Sequence, residues 1–176
     1  MASPALRGAS CQRSVVGNAA HDCCESLGMA RVCSGALALV LVLVAGTASA
    51  QVNTNGGPSA IGGYDPVAYF TDHAPTRGVA EHAFDWHGAH WLFASEEHRA
   101  LFAANPSRYA PAYGGYCAYA AADGRLVSVD PSAWHVEGGR LFLNYSLEIR
   151  ARWLADRAHF IAEADRRWPE LSRSTR

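Results

Sequence analysis

The sequence predicts an α+β domain in which a small, mostly antiparallel sheet is covered by a short helix and a long C-terminal helix. Three observations predict it: short aromatic segments joined by Gly-containing turns, a short helical segment behind a serine, and a long C-terminal segment with an apolar stripe. A sheet with one apolar face needs a covering layer, and such a stripe supplies it. One domain of this size buries one modest core.

The N-terminus has the pattern of a secretory signal peptide. Arg31 precedes the apolar run ALALVLVLVAG (36–46), and the small residues TASA (47–50) follow it. We assign residues 1–50 to an upstream extension and signal peptide, and we expect cleavage after Ala50. This predicts a periplasmic or secreted protein with no stable membrane anchor after cleavage. A retained anchor is the alternative, but the run is shorter than the ~20 residues of a transmembrane helix.

The remaining chain divides into three segments. Residues 51–60 are polar and rich in turn-forming residues, which predicts a flexible leader. Residues 61–171 contain the predicted helices and strands and form the domain, and residues 172–176 are a tail. No internal repeat is evident in the sequence.

The first half of the domain contains a predicted hairpin followed by a helix. Aromatic residues flank the dipeptide at 87–88 within 81–93, as in two short strands joined by a tight turn. Ser95 is a capping residue, and the two acidic residues after it suit the positive end of a helix dipole. Pro106 predicts that this helix ends just before it.

The second half contains predicted strands and the long helix. Residues 116–121 and 125–129 have the composition of two strands, and a further hairpin is predicted within 134–145. Apolar residues recur at helical spacing over 146–168, which predicts a packing face on one helix that ends at Pro169. The residues of this stripe are Ile149, Trp153, Phe160, Ala164 and Trp168.

Charge and motifs exclude several function classes. The net charge is −1, which gives no electrostatic footprint for nucleic acid. The glycine pairs lack the context of a phosphate-binding loop, and the sequence has neither a G-x-S-x-G nor an H-E-x-x-H motif. The chemistry available to the chain is therefore that of its histidines and of one cysteine.

Cys117 is the only cysteine after the predicted cleavage site, so the mature chain has no intramolecular disulfide. An unpaired thiol in an exported protein is a buried inert group, a metal ligand, a reactive group or an intermolecular bridge. The glycines before it and the tyrosines around it predict burial on a central strand.

Three kinds of site are compatible with these residue types. A site for a transition metal such as copper or zinc uses Cys117 with His98 or His90, because these ions prefer thiolate and imidazole ligands. A thiol enzyme pairs Cys117 with His135 as the base and Asp130 as the orienting acid. An aromatic pocket for a small organic ligand or a peptide is the third. Its predicted residues are Tyr64, Tyr69, Tyr113, Tyr116 and Trp134.

Several blocks of the sequence resemble the secreted branch of the YHS-domain proteins. They are GYDPVAYF (63–70), WLFASEEHRALFAANPSRYAP (91–111), YGGYCAYA (113–120), DPSAW (130–134) and LFLNY (141–145). The resemblance covers about residues 61–171. It implies export from a Gram-negative cell.

Short YHS modules found beside metal-transport proteins resemble only the first half of this domain, and their cysteines are thought to hold metal. Their first two cysteine positions are Ala68 and Ala94 in this chain, and the third is His98, which keeps a metal-binding side chain. Cys117 lies outside the short module and is a candidate replacement for a lost ligand. We therefore predict a non-enzymatic binding module, with copper or zinc as the hypothesised ligand.

Overall fold

Two β-hairpins, each followed by two helices, form the framework of the protein. The computed structural model describes residues 51–173, so the predicted extension and signal peptide (1–50) lie outside the described residues. Helix and strand content confirm the α+β class. The elements are α1 (Ala68–Thr71), β1 (Val79–Trp86), β2 (Ala89–Phe93), α2 (Glu96–Ala104), α3 (Pro106–Tyr109), α4 (Ala118–Ala122), β3 (Asp130–Glu137), β4 (Arg140–Asn144), α5 (Leu147–Ala155) and α6 (Arg157–Leu171).

Both hairpins are antiparallel and have tight turns. β1 pairs with β2 across His87-Gly88, and β3 pairs with β4 across Gly138-Gly139. The φ angles at these turns are 51° and 74° in the first and 55° and 77° in the second. Two successive positive φ angles match the twist of a hairpin. The hairpins predicted within 81–93 and 134–145 are confirmed, whereas the hairpin signal at Asp123-Gly124 joins no strands, and the predicted sheet is present as two separate two-stranded sheets.

Ser95 and Ser146 each begin a helix. Their hydroxyl oxygens accept hydrogen bonds from the backbone N–H groups of His98 and Ile149, both at 3.2 Å. These bonds satisfy donors that a helix start otherwise leaves unpaired. The predicted cap of α2 is confirmed. Within the part of the chain that the structure describes, no helix has the length and apolar character needed to cross a bilayer.

The predicted C-terminal helix consists of two helices. Asp156 has φ −145° and ψ 52°, which interrupts the helix between α5 and α6. α6 also includes Pro169, at which the sequence predicts the end of the helix. The proline removes one hydrogen bond of the helix, but only two helical residues follow it, so the disturbance is confined to the end of α6. The predicted packing face is confirmed, since Trp153 and Ala164 are buried.

The predicted strand at 116–121 is instead helix α4. Its sequence is AYAAA, and alanine is the strongest helix former, which outweighs the strand preference of its tyrosine. Residues 125–129 form no regular element. Cys117 makes a single parallel bridge with Leu143. It therefore lies at the start of a helix, not within a central strand.

Residues 51–60, expected to be a flexible leader, are held against the domain. Asn53 is 3% exposed, and its Nδ2 donates to the carbonyl of Gly115 at 2.9 Å. The side chain of Asn55 pairs with both backbone groups of Val129, at 2.9 and 3.1 Å. Backbone pairing adds to these side-chain bonds, since the N–H of Asn53 donates to the carbonyl of Gly114 at 2.8 Å and Ser59 makes a single parallel bridge with His90.

The hairpins belong to an internal repeat of the fold. A strand of 8 residues, a strand of 5 and a serine-capped helix of 9 occur in this order in both halves. A register shift interrupts both hairpins at the same place, and Gly-Gly-Tyr precedes both, at 62–64 and 114–116. We call residues 60–109 the first repeat and residues 112–171 the second repeat. Few side chains are shared, so the repeat is hard to see in the sequence.

Asp165 connects α6 to the rest of the second repeat through hydrogen bonds. Its Oδ1 accepts hydrogen bonds from the hydroxyl of Tyr113 at 2.9 Å and from Nη2 of Arg140 at 2.7 Å, and its Oδ2 accepts from Nη1 of Arg140 at 3.0 Å. The hydrogen-bonded guanidinium of Arg140 holds the pKa of Asp165 below its ordinary value. The charged carboxylate therefore stabilises the folded chain.

We expect Asp165→Asn to lower the free energy of unfolding at pH 7 by about 0.5–1 kcal/mol, a small value because the pair is partly exposed and screened by water. Because the pKa of Asp165 is lower in the folded than in the unfolded chain, its contribution to stability is fully present above about pH 4, the unfolded-state pKa. The contribution is lost as the pH falls through the folded-state pKa. Urea unfolding between pH 7 and pH 3 should show the difference from wild type shrinking with acid. Asp123→Asn is the matched control, because Asp123 pairs only with Arg125 on the surface. A difference that is constant with pH would contradict the prediction.

Candidate functional site

A buried carboxylate, Asp65, organises the first repeat. Its Oδ1 accepts hydrogen bonds from the backbone N–H groups of Val67 (2.8 Å) and Ala68 (3.3 Å), where α1 begins. Its Oδ2 accepts from the backbone N–H of Ala94 (2.8 Å) and from Nδ1 of His98 (2.7 Å) in α2. Asp65 has no exposed surface. The surrounding donors supply what a buried charge needs in place of water.

His98 directs its second ring nitrogen toward the protein surface. Nε2 lies 3.2 Å from Oγ1 of Thr71 and 3.7 Å from Oδ1 of Asp72. The side chain of His98 is 12% exposed. A carboxylate that accepts from one ring nitrogen fixes the orientation of the imidazole and leaves the other nitrogen for a ligand. Nε2 of His98 thus has the side-chain oxygens of Thr71 and Asp72 as its polar neighbours.

Cys117 is shielded from solvent beside an amide. It is 1% exposed, and its Sγ lies 3.9 Å from Oδ1 of Asn144. The same oxygen accepts from the backbone N–H of Tyr119 at 3.4 Å. Nδ2 of Asn144 is buried and has no hydrogen-bond partner among the described residues. The polar neighbour of the sulfur is thus an amide rather than an imidazole.

Cys117 occupies in the second repeat the position that Asp65 occupies in the first. Each follows Gly-Gly-Tyr, and each donates its backbone N–H to a carbonyl in the loop before its hairpin, at 2.9 Å for Asp65 and 3.0 Å for Cys117. The counterpart of His98 is Ile149, since both donate to a capping serine. The hydrogen-bonded Asp65–His98 pair of the first repeat is therefore absent from the second. The repeated Gly-Gly-Tyr is the sequence signal that locates both positions.

The three predicted metal ligands lie in three different environments. His98 is bound to Asp65, Cys117 is buried in the second repeat, and Nδ1 of His90 lies 2.7 Å from Oδ1 of Asp85 on an exposed hairpin. Among residues 51–173, no group of three or more His, Cys, Asp or Glu side chains is arranged to hold a metal ion. Among the described residues, the recorded polar partner of the Cys117 thiol is Asn144, whereas His98 and His90 are each bound to an aspartate.

The residues predicted for a thiol enzyme have other partners. Nε2 of His135 lies 3.1 Å from Oε2 of Glu137. Oδ1 of Asp130 accepts from the backbone N–H of Ser132 at 2.8 Å, as in a turn at the start of a strand. In the described part of the chain, no hydrogen bond joins Cys117 to His135. The residue types of a triad are present without the contacts that it needs.

The five aromatic residues predicted to line a pocket have structural roles. Tyr69 and Tyr113 are 0% and 3% exposed, and burial raises the pKa of both hydroxyls above the ordinary value. Trp134 packs edge-on against Tyr69 with a centroid distance of 5.4 Å. Tyr64 lies under an arginine, and Tyr116 accepts a hydrogen bond from a glutamine. None of the five lines the cavity described next.

Three tryptophans line a cavity of about 130 Å³, which we call the tryptophan cavity. Trp86 and Trp91 come from β1 and β2, and Trp168 comes from α6. The rings of Trp86 and Trp91 are 6.0 Å apart with planes inclined at 57°. Nε1 of Trp91 donates to the carbonyl of Trp86 at 3.1 Å. The other lining residues are Gln51, Val52, His87, Ala110, Pro111 and Gly114.

Two wider clefts along α6 have charged walls that are already paired. One, of about 550 Å³, lies beside Arg166 and Arg167, and the other, of about 390 Å³, lies beside Arg157 and Glu137. Arg166 and Arg167 both contact Glu163, and Arg157 contacts Glu137 at 3.0 Å. A charged ligand there has to displace these pairs, so the tryptophan cavity is the better candidate.

Comparisons with known proteins identify no relative of this chain. No family model, curated protein or solved structure matches the chain. The resemblance to the secreted YHS-domain proteins therefore stays a prediction. The case for a function depends on the side chains and cavities themselves.

We expect native Cys117 to react with iodoacetamide at least ~100-fold more slowly than in denaturant, because alkylation of a buried thiol requires the chain to open. The measurement is the increase in intact mass over time, in buffer and in 6 M guanidinium. The control is Tyr145→Cys in a Cys117→Ala background, since Tyr145 is 58% exposed and a thiol there is accessible. Equal rates for native Cys117 and this control would contradict burial of the thiol.

Proposed function

We propose that this protein is an exported, non-enzymatic binding module that holds a small organic group in the tryptophan cavity. The observation that carries the proposal is a space walled by three indoles from three separate elements. Aromatic walls with a few polar groups are typical of small-molecule sites. The signal-peptide pattern at the N-terminus supports export.

The volume of the cavity limits the ligand to one small group. A volume of about 130 Å³ lies below the range of roughly 300–1,000 Å³ that is typical of sites for drug-sized molecules. It is close to the ~150 Å³ of an apolar cavity that accepts benzene. A single ring, a branched alkyl group or one side chain of a peptide therefore fits.

The lining favours binding over chemistry. The polar side chains among the lining residues are those of Gln51 and His87, and the lining includes no carboxylate, hydroxyl or thiol. The lining supplies an imidazole, His87, which is the usual general base, but no hydroxyl, thiol or carboxylate nucleophile for it to activate. The indoles instead provide apolar surface with little loss of side-chain freedom on binding.

Benzyl alcohol tests the proposal. A ligand that binds only the native state raises the Tm, and one that enters the cavity also changes tryptophan fluorescence. We expect both effects in the wild type, and at least ~10-fold weaker binding in Trp168→Ala, because one wall of the cavity is removed. Each variant is compared with its own ligand-free Tm.

Trp134→Ala is the matched control. It removes a tryptophan that lies outside the tryptophan cavity but within the set that the sequence predicts as a pocket. We expect the affinity for benzyl alcohol to be retained. Loss of binding in Trp134→Ala together with unchanged binding in Trp168→Ala would contradict the proposal and locate the site around Tyr69 and Trp134.

A second candidate function is the binding of copper or zinc at His98. The observation that favours it is Nε2 of His98, held in place by Asp65 and 3.7 Å from Oδ1 of Asp72. An imidazole backed by a carboxylate is a common arrangement around zinc. Two protein ligands leave the remaining positions to water. This candidate site binds the metal that the sequence predicts, but it uses Asp72 in place of Cys117 and His90.

Titration calorimetry with zinc and with copper(II) tests this candidate. We expect Asp72→Asn to weaken binding at least ~10-fold, while the Asp65–His98 hydrogen bond stays intact and keeps the fold. His90→Ala and Cys117→Ala are the controls, and we expect neither to change the affinity. Binding that survives Asp72→Asn but is lost in His90→Ala would remove His98 from consideration.

A further inference from the structure

We propose that the tryptophan cavity binds a quaternary ammonium group, the trimethylated cation that choline and glycine betaine carry. This inference depends on the proposed function and names the ligand class of the same site. It follows from the kind of aromatic walls, from the charges that the lining lacks and from the size of the space.

The walls suit a cation that is held by ring faces. Of the aromatic side chains, the indole attracts a cation over its face most strongly. The planes of Trp86 and Trp91 are inclined at 57°, and Trp168 adds a third indole from α6. Trp91 is 1% exposed, so the ring surface that a ligand reaches is mainly that of Trp86 and Trp168. Nε1 of Trp91 already donates to a carbonyl, which leaves the ring rather than its N–H for a ligand.

The absence of charged side chains from the lining favours some classes of ligand over others. The lining residues include no Asp, Glu, Lys or Arg, so the one charge that the predicted cleavage after Ala50 would add is the α-amino group of Gln51. A primary ammonium is compact and strongly hydrated, and it loses that hydration here without gaining a carboxylate partner. An anion likewise finds no cationic side chain. A quaternary ammonium has a charge spread under methyl groups, so its surface is apolar enough for the cavity while its charge interacts with the rings.

The size of the space agrees with this class. A trimethylammonium head is a compact group with the shape of a tert-butyl group, and the cavity accepts a ligand of about one small ring. The rest of such a ligand extends out of the cavity, whose polar lining side chains are those of Gln51 and His87.

The test compares choline with 3,3-dimethyl-1-butanol, in which carbon replaces the charged nitrogen. Both are titrated against the purified protein by calorimetry and tryptophan fluorescence at pH 8. We expect choline to bind at least ~10-fold more tightly than its neutral analogue, the contribution of a desolvated cation against several indoles.

Two substitutions at one wall separate shape from charge. Trp168→Phe keeps an apolar ring but weakens its attraction for a cation, so we expect it to reduce the affinity for choline more than the affinity for the neutral analogue. Trp168→Ala should weaken both. Trp134→Phe is the matched control and should change neither affinity.

The outcomes separate this inference from the proposed function. Equal affinities for choline and 3,3-dimethyl-1-butanol would overturn the quaternary ammonium assignment and leave an apolar binding module. Absence of binding by choline, its analogue and benzyl alcohol would overturn both proposals. Preferential binding of choline that Trp168→Ala does not weaken would also overturn the assignment, because the cation would then lie elsewhere.

The same cation occurs in free small molecules and in lipid head groups, and vesicle sedimentation distinguishes them. Retention on phosphatidylcholine vesicles that free choline reverses, with no retention on phosphatidylglycerol vesicles, supports the assignment with a lipid as the source. Binding of choline in solution without retention on either vesicle supports it with a free molecule as the source. Equal retention on both vesicles that choline does not reverse counts against the assignment.

Discussion

The buried carboxylate of Asp65 is the constraint on which the first repeat depends. A carboxylate loses its hydration inside a protein, and it stays ionised there only when donors surround it. Its four donors come from the start of α1, from the residue after β2 and from α2, so all three must be in place together. Removal of such a partnered charge typically costs about 3–5 kcal/mol. The end of β2 is fixed in this way, and with it Trp91, one wall of the tryptophan cavity.

In the second repeat the start of the corresponding helix, α4, is held without a carboxylate, and Cys117 occupies the position of Asp65. Cysteine is a weak acceptor, so it cannot replace the carboxylate at the start of a helix. Oδ1 of Asn144 accepts the backbone N–H of Tyr119, as Oδ1 of Asp65 accepts that of Val67. Nδ2 of Asn144 has no hydrogen-bond partner within the described region. The desolvation of this donor offsets part of the free energy that the hydrogen bond of Oδ1 contributes to folding. Cys117 is therefore best understood as a small apolar side chain in the core.

Local signals predict local structure in this chain. The two hairpins and the serine caps follow from turn and capping residues within a few positions of each other, and the structure confirms them. The helix break at Asp156 involves no glycine or proline, so no local residue predicts it. The formation of α4 depends on whether the helix propensity of alanine outweighs the strand propensity of tyrosine. The Asp65–His98 pair and the tryptophan cavity join residues far apart in the sequence. Their positions are set by the packing of the elements, which composition and periodicity do not specify.

The tryptophan cavity occurs once because it uses positions at which the repeats differ. Trp86 ends β1, and its counterpart at the end of β3 is Glu137, which pairs with His135 and Arg157. The counterpart of Trp91 is Phe142, which packs against Trp153 in the core. Trp168 lies in the part of α6 that extends beyond the length of the short α3. A ligand bound there, as we propose, would contact the first repeat through Trp86 and Trp91 and the second through Trp168. Its binding to the native state alone would then stabilise the whole domain by linkage.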